Sequence, residues 1–124
     1  MTEDFARRYT EAWCSHSPDA VASFFATDGS LSVNSGSPAI GREAISKVAL
    51  GFYETFPDMQ VMMDRLALVD GKPQYHWTLI GTSVSGKRVK ISGFEKWTMS
   101  EGGLIQKSEG QFDAADYHRQ LAAS

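Results

Sequence analysis

The chain has 124 residues, 42% of them hydrophobic and 22% charged, with a formal net charge of -3. That is the size of one domain with one core and the composition of an ordinary globular chain. The acidic balance leaves no basic stripe to neutralise phosphates, which argues against nucleic acid, and no apolar run approaches the ~18 residues of a membrane span.

Cys14 is the single cysteine, so an intramolecular disulfide is impossible. His16, His76 and His118 lie far apart, and no Cys/His pair has zinc-ligand spacing. Neither a metal nor a cofactor is expected. The opening MTEDFARRYTEAW begins acidic and has no apolar stretch of the kind found in signal peptides, so a cytoplasmic location is expected.

In chain order, Phe5, Tyr9, Ala12 and Trp13 recur at i, i+4, i+7 and i+8, one face of an amphipathic helix. Ser17-Pro18-Asp19 then supplies an N-cap hydroxyl, a proline at the first helical position and an acid in the first turn. A second helix through Val21, Phe24 and Phe25 is expected, ending before a turn at Asp28-Gly29. Ser30 to Asn34 alternates like a short strand, and Ser35-Gly36-Ser37-Pro38 reads as a loop. From Gly41 the stripe Ile45, Val48, Ala49 and Phe52 predicts a third helix, stopped by Phe56-Pro57-Asp58.

Four strands follow: Met59 to Val69, Gln74 to Val84, Arg88 to Met99 and Leu104 to Phe112. Asp70-Gly71, Ser85-Gly86 and Glu101-Gly102-Gly103 separate them, and such short connections make neighbours antiparallel. Asp113 is placed to cap a terminal helix ending near Leu121. With no repeat or linker, residues 1–124 form a single domain. Three helices followed by a meander define an α+β fold with helices on one face of a curved sheet. The strands offer more inward positions than three short helices cover, so a pocket is expected.

The third strand of the meander, VKISGFEKWTM, places Glu95 among Val89, Ile91, Gly93, Trp97 and Met99 on its apolar face. A buried carboxylate needs a partner or a proton, so Glu95 is the leading candidate for ligand binding or catalysis. Trp13, Tyr75, Trp77, Trp97 and Met99 are expected to line the cavity. Ser108 and Gln106, on the inward parity of the last strand, are weaker polar candidates. Asp113 reads most simply as a cap.

The order of elements, with Ala12-Trp13, Ser17-Pro18-Asp19-Ala20-Val21, Phe24-Phe25-Ala26, Gly41-Arg42-Glu43-Ala44-Ile45 and Phe56-Pro57-Asp58, resembles the nuclear transport factor 2-like superfamily. Within it, the chain is similar to the SnoaL-like polyketide cyclases and ketosteroid isomerases. Trp77-Thr78, Gly81-Thr82 and the closing Asp113 with Gln120-Leu121 carry the likeness over nearly the whole chain.

This resemblance implies a cone-shaped, curved antiparallel sheet wrapped around three N-terminal helices, a cavity for an apolar small molecule and a homodimer formed through the sheet. It puts Tyr9 and Glu95 where the isomerases have the tyrosine and carboxylic acid that donate to a developing enolate; that enzyme is a worked example of carboxyl pKa tuning. It also puts Val33, which cannot take a proton, where they have their basic aspartate, and Gly110 where the cyclases have their acid. The implied activity is that of an isomerase or cyclase acting on an apolar carbonyl ring compound. The alternative is a non-catalytic ligand-binding domain of the same fold. The expected dimer face carries His76, Thr78, Ile80, Phe94 and Lys96.

Overall fold

The computed structural model describes residues 2–122. Helix α1 (Thr2–Cys14) is followed by α2 (Pro18–Ala22), strands β1 (Phe25–Val33) and β2 (Ala39–Ile40), and helix α3 (Arg42–Thr55). Strands β3 (Gln60–Val69), β4 (Lys72–Thr82), β5 (Arg88–Met99) and β6 (Ile105–Phe112) come next, then helix α4 (Ala114–Ala122). One six-stranded curved sheet has the order β2-β1-β6-β5-β4-β3. No described helix is long and apolar enough to cross a membrane.

The helices begin where local chemistry directs them. The Ser17 hydroxyl accepts from the Ala20 amide at 3.2 Å, with Pro18 at the first helical position. Asp113 caps α4, accepting from the Asp116 amide at 3.0 Å. The α1 stripe of Phe5, Ala6, Tyr9, Ala12 and Trp13 is buried against Val21, Phe25, Ile45, Ala49 and the inward residues of the sheet.

Three expectations need correction. The second helix stops at Ala22, and Phe25 already belongs to β1, paired with Ile105 in a parallel ladder. Asp28-Gly29 is therefore no turn but part of an irregularity within β1, between Phe25 and Ser30. A side chain at Gly29 would meet the Ile105 carbonyl at 2.8 Å, so only glycine admits that approach. Secondly, the sheet is mixed: β1 lies parallel to β6, and the other pairs are antiparallel. Thirdly, Ala39–Ile40, between the Ser35-Gly36-Ser37-Pro38 loop and the third helix and expected in no element, forms the edge strand β2.

Parity along the strands is as expected. Val89, Ile91, Glu95 and Trp97 are buried, while Lys90 and Ser92 are exposed. A bulge in β3 between Met63 and Arg65 inserts Asp64 and bends the strand.

At the other end of the sheet, β5 outruns β6, whose pairing with it begins at Gly93 and Phe112. The unpaired backbone of Lys90 is met by the Gln120 amide. Its Oε1 accepts from the Lys90 N–H at 2.7 Å, and its Nε2 donates to the Lys90 carbonyl at 2.9 Å. Helix α4 is thereby tied to β5, and its Tyr117 packs edge-on against Phe112 at 5.5 Å between centroids.

Candidate active site

Ladder register sets the site. Glu95 lies opposite Tyr75 on one side and Gly110 on the other, and Gly110 lies beside Val33. The row Val33, Gly110, Glu95, Tyr75 thus crosses the inward face of four strands. Trp97 lies opposite Ser108 in the next row, and Trp77 opposite Gly93 in the row on the other side.

Glu95 is 8% exposed and receives three donors. The Ser108 hydroxyl donates to Oε1 at 2.8 Å, and the Trp97 indole N–H donates to the same oxygen at 3.0 Å. The Tyr9 hydroxyl donates to Oε1 at 3.0 Å and, more weakly, lies 3.3 Å from Oε2. Oε1 is saturated and Oε2 is nearly unspent. An indole N–H can only donate, so Oε1 accepts from Trp97 in either ionisation state, which favours Oε2 as the oxygen that carries a proton.

Burial pushes the Glu95 pKa up, and the hydrogen bonds from Trp97, Ser108 and Tyr9 pull it partly back. The Tyr9 hydroxyl is pushed well above its ordinary range, first by burial and then by the adjacent Glu95 charge. Burial thus favours the protonated form of both groups.

A cavity of about 60 Å³, measured for the centre of a water molecule, opens beside Glu95. Its wall includes Trp13, Leu31, Val33, Phe52, Tyr75, Trp77 and Phe112, together with Gly110. Among the described residues, Glu95 is the single carboxylate on it. Gly110 keeps the space beside the carboxyl open, since a Cβ there would stand 3.8 Å from Glu95 Cγ.

The expected residues divide into two layers. Glu95, Trp13, Tyr75, Trp77 and Val33 form part of the wall. Trp97 and Ser108, expected on the wall, stand behind the carboxyl as its donors, and Trp97 stacks on Tyr75 at 5.1 Å. Tyr9 also lies in this rear layer, its hydroxyl turned to Glu95 rather than into the cavity. Met99 is half-buried against the core away from the wall, because the β5–β6 register shifts between Thr98 and Met99. Gln106 turns to Asp28 at 3.1 Å, and Asp113 is a cap. Phe52 and Val48, read from their helical spacing as core, are wall residues, as are Leu31 and Phe112. Amphipathic spacing marks a buried face without saying whether protein or empty space lies beyond it.

The profile of the SnoaL-like polyketide cyclases matches residues 3–121, and the chain belongs to that family. Among solved structures, it resembles a candidate SnoaL-like polyketide cyclase from Jannaschia sp. at TM-score 0.85, with 14% identity over 98% of this chain and 92% of that one. A Catenulispora acidiphila protein of ketosteroid isomerase-like fold, solved with trimethylamine, matches at TM-score 0.82, with 17% identity over 94% and 90%. SalBIII, described as an epoxide hydrolase/cyclase-like enzyme of pyran ring formation in the polyether salinomycin, matches at 0.79, with 17% identity over 92% of each chain. These likenesses concern the fold. No curated protein matches the chain.

Proposed function

We propose that the protein is a small-molecule enzyme of the SnoaL-like, ketosteroid isomerase-like type, moving a proton on a compact apolar carbonyl compound inside its cavity. The observation that carries this reading is the one-sided engagement of Glu95, with Oε1 held by three donors and Oε2 left for a ligand.

Oε2 removes the proton from the carbon next to the carbonyl. The C–H electron pair becomes a C=C bond, and the carbonyl π pair moves to oxygen, giving an enolate. Where a C=C bond adjoins the α-carbon, the enolate is a dienolate, and returning the proton at its γ-carbon shifts the double bond and isomerises the compound; where a second carbonyl is in reach, attack of the enolate carbon on it closes a ring, and the alkoxide formed takes the proton back from Glu95. Both outcomes are redox-neutral. A carboxyl group whose pKa burial raises suits such work, because as a base it is stronger than an ordinary carboxylate and still returns its proton readily. Tyr9, Trp97 and Ser108 act through Glu95 as positioning residues.

The test uses a plain ketone. Cyclopentanone in D2O with the protein should exchange its α-hydrogens for deuterium faster than in buffer, followed by proton NMR, and Glu95→Gln should abolish the acceleration. Exchange no faster than in buffer, or undiminished in Glu95→Gln, would overturn the reading.

A second reading is a binding domain without catalysis. Val33 on the wall favours it, since the row across the sheet then carries no base other than Glu95. Cyclopentanone that binds but does not exchange would select this reading. We also propose a homodimer through the outer sheet face, where His76 and Phe94 pack at 5.6 Å and Thr78 is already buried within one chain. A monomer by light scattering at micromolar concentration would reject it.

A further inference from the structure

We infer that the indole N–H of Trp77 is the donor that holds the carbonyl oxygen while Glu95 works on the neighbouring carbon; this rests on the proton-transfer reading. Removing a proton beside a carbonyl leaves negative charge on oxygen, and an apolar cavity must supply a donor there. Most polar groups around the wall are already engaged. Tyr9, Ser108 and Trp97 donate to Glu95, and the Tyr75 hydroxyl is bonded to the Thr10 hydroxyl. The Trp13 indole packs edge-on against the Tyr9 ring at 6.4 Å between centroids, on the α1 side of the cavity. Trp77 is on the wall, and its N–H has no acceptor among the described residues.

Its placement suits the role. Trp77 stands opposite Gly93, and a Cβ at that glycine would come within 2.8 Å of Trp77 Cζ2. Cζ2 and Nε1 are bonded to the same ring carbon, so the missing side chain lets the N–H edge of the indole lie over β5. Gly93 and Glu95 are two residues apart on the same face, about 7 Å at strand spacing. Trp77 and Glu95 both line the cavity, so one bound carbonyl compound can meet the indole N–H with its oxygen and the carboxylate with its α-carbon. Phe112, 6.1 Å from Trp77 between centroids, supports the indole from the β6 side.

The chain has three tryptophans, so a 15N-labelled sample shows three indole signals, and Trp77→Phe assigns this one. Titration with cyclopentanone should move the Trp77 N–H downfield. Methylenecyclopentane, the same shape without the oxygen, should not. Trp97, already bonded to Glu95, serves as the internal control. Trp77→Phe should weaken cyclopentanone binding several-fold, up to about tenfold, slow α-exchange, and leave methylenecyclopentane binding within about twofold.

A Trp77 signal that responds alike to both ligands overturns the inference, and this measurement on the wild type does not depend on any variant folding. So does a variant that loses both ligands equally. If Glu95→Gln abolishes exchange while the Trp77 signal stays still under saturating ketone, the Glu95 reading survives and this one falls. If cyclopentanone moves no wall residue, both fall.

Discussion

Each face of the sheet carries a carboxylate–hydroxyl cluster, and the two differ in what surrounds them. Inside, Glu95 takes hydrogen bonds from Tyr9, Trp97 and Ser108 among aromatic rings. Outside, Thr78 donates to Asp64 at 2.6 Å and lies 2.7 Å from the Ser92 hydroxyl, while Asp64 itself is exposed. The outer cluster keeps water on one side, so it needs no further balance. The inner one is sealed, and desolvation works against its charge whatever the donors contribute. Similar partners produce a surface network in one place and, in the other, a carboxyl group whose charged form burial disfavours.

The largest test of this contrast removes the inner support. Trp97 is fully buried, stacked on Tyr75 and bonded to Glu95. Trp97→Ala should cost about 3–5 kcal/mol in urea denaturation. Thr78→Val, across the sheet, should cost about 1 kcal/mol.

The next test uses pH. The folded chain keeps the Glu95 proton at pH values where an unfolded chain has released it, so this group's contribution is fully present below its ordinary 4.5. It is lost as pH rises through the elevated folded value. Wild type should therefore lose stability over that window, and Glu95→Gln should lose less. Equal slopes in the two proteins would show that burial does not hold the proton.

Ser108→Ala leaves Oε1 with two donors. It should destabilise by about 1 kcal/mol and move the Glu95 titration further upward in carboxyl-carbon NMR. The smallest effect belongs to the outer carboxylate: Asp64→Asn should change stability by no more than about 0.5 kcal/mol in urea denaturation.

How far the site could be read from the sequence follows from period and range. The alternation in VKISGFEKWTM places Glu95 inward because side chains on a strand change face at every residue, and the cap at Ser17 is a local hydrogen bond. The parallel pairing of β1 with β6 joins residues some eighty positions apart, and nothing in Phe25 or Asp28-Gly29 announces it. The depth of Trp97 and Ser108 was hidden for a related reason. Parity puts them on the right face, but only the packed α1 shows that Tyr9 fills the space in front of them. Trp77 was legible as inward, while its unspent N–H becomes visible only when every neighbouring donor has been assigned.

The side-chain amide of Gln120 on Lys90 has a consequence for how copies of the chain meet one another. A peptide group left open beyond the end of β6 is a template on which a foreign strand can add, which is how edge-to-edge aggregation starts. Gln120 presents one donor and one acceptor in the positions a neighbouring backbone would occupy, so it fills that vacancy with a group that cannot propagate a ladder. Helix α4 contributes no buried residue of its own, and in this light its service is to hold that stopper in place. Gln120→Ala would leave the folded core almost untouched while making the protein more prone to self-association at high concentration.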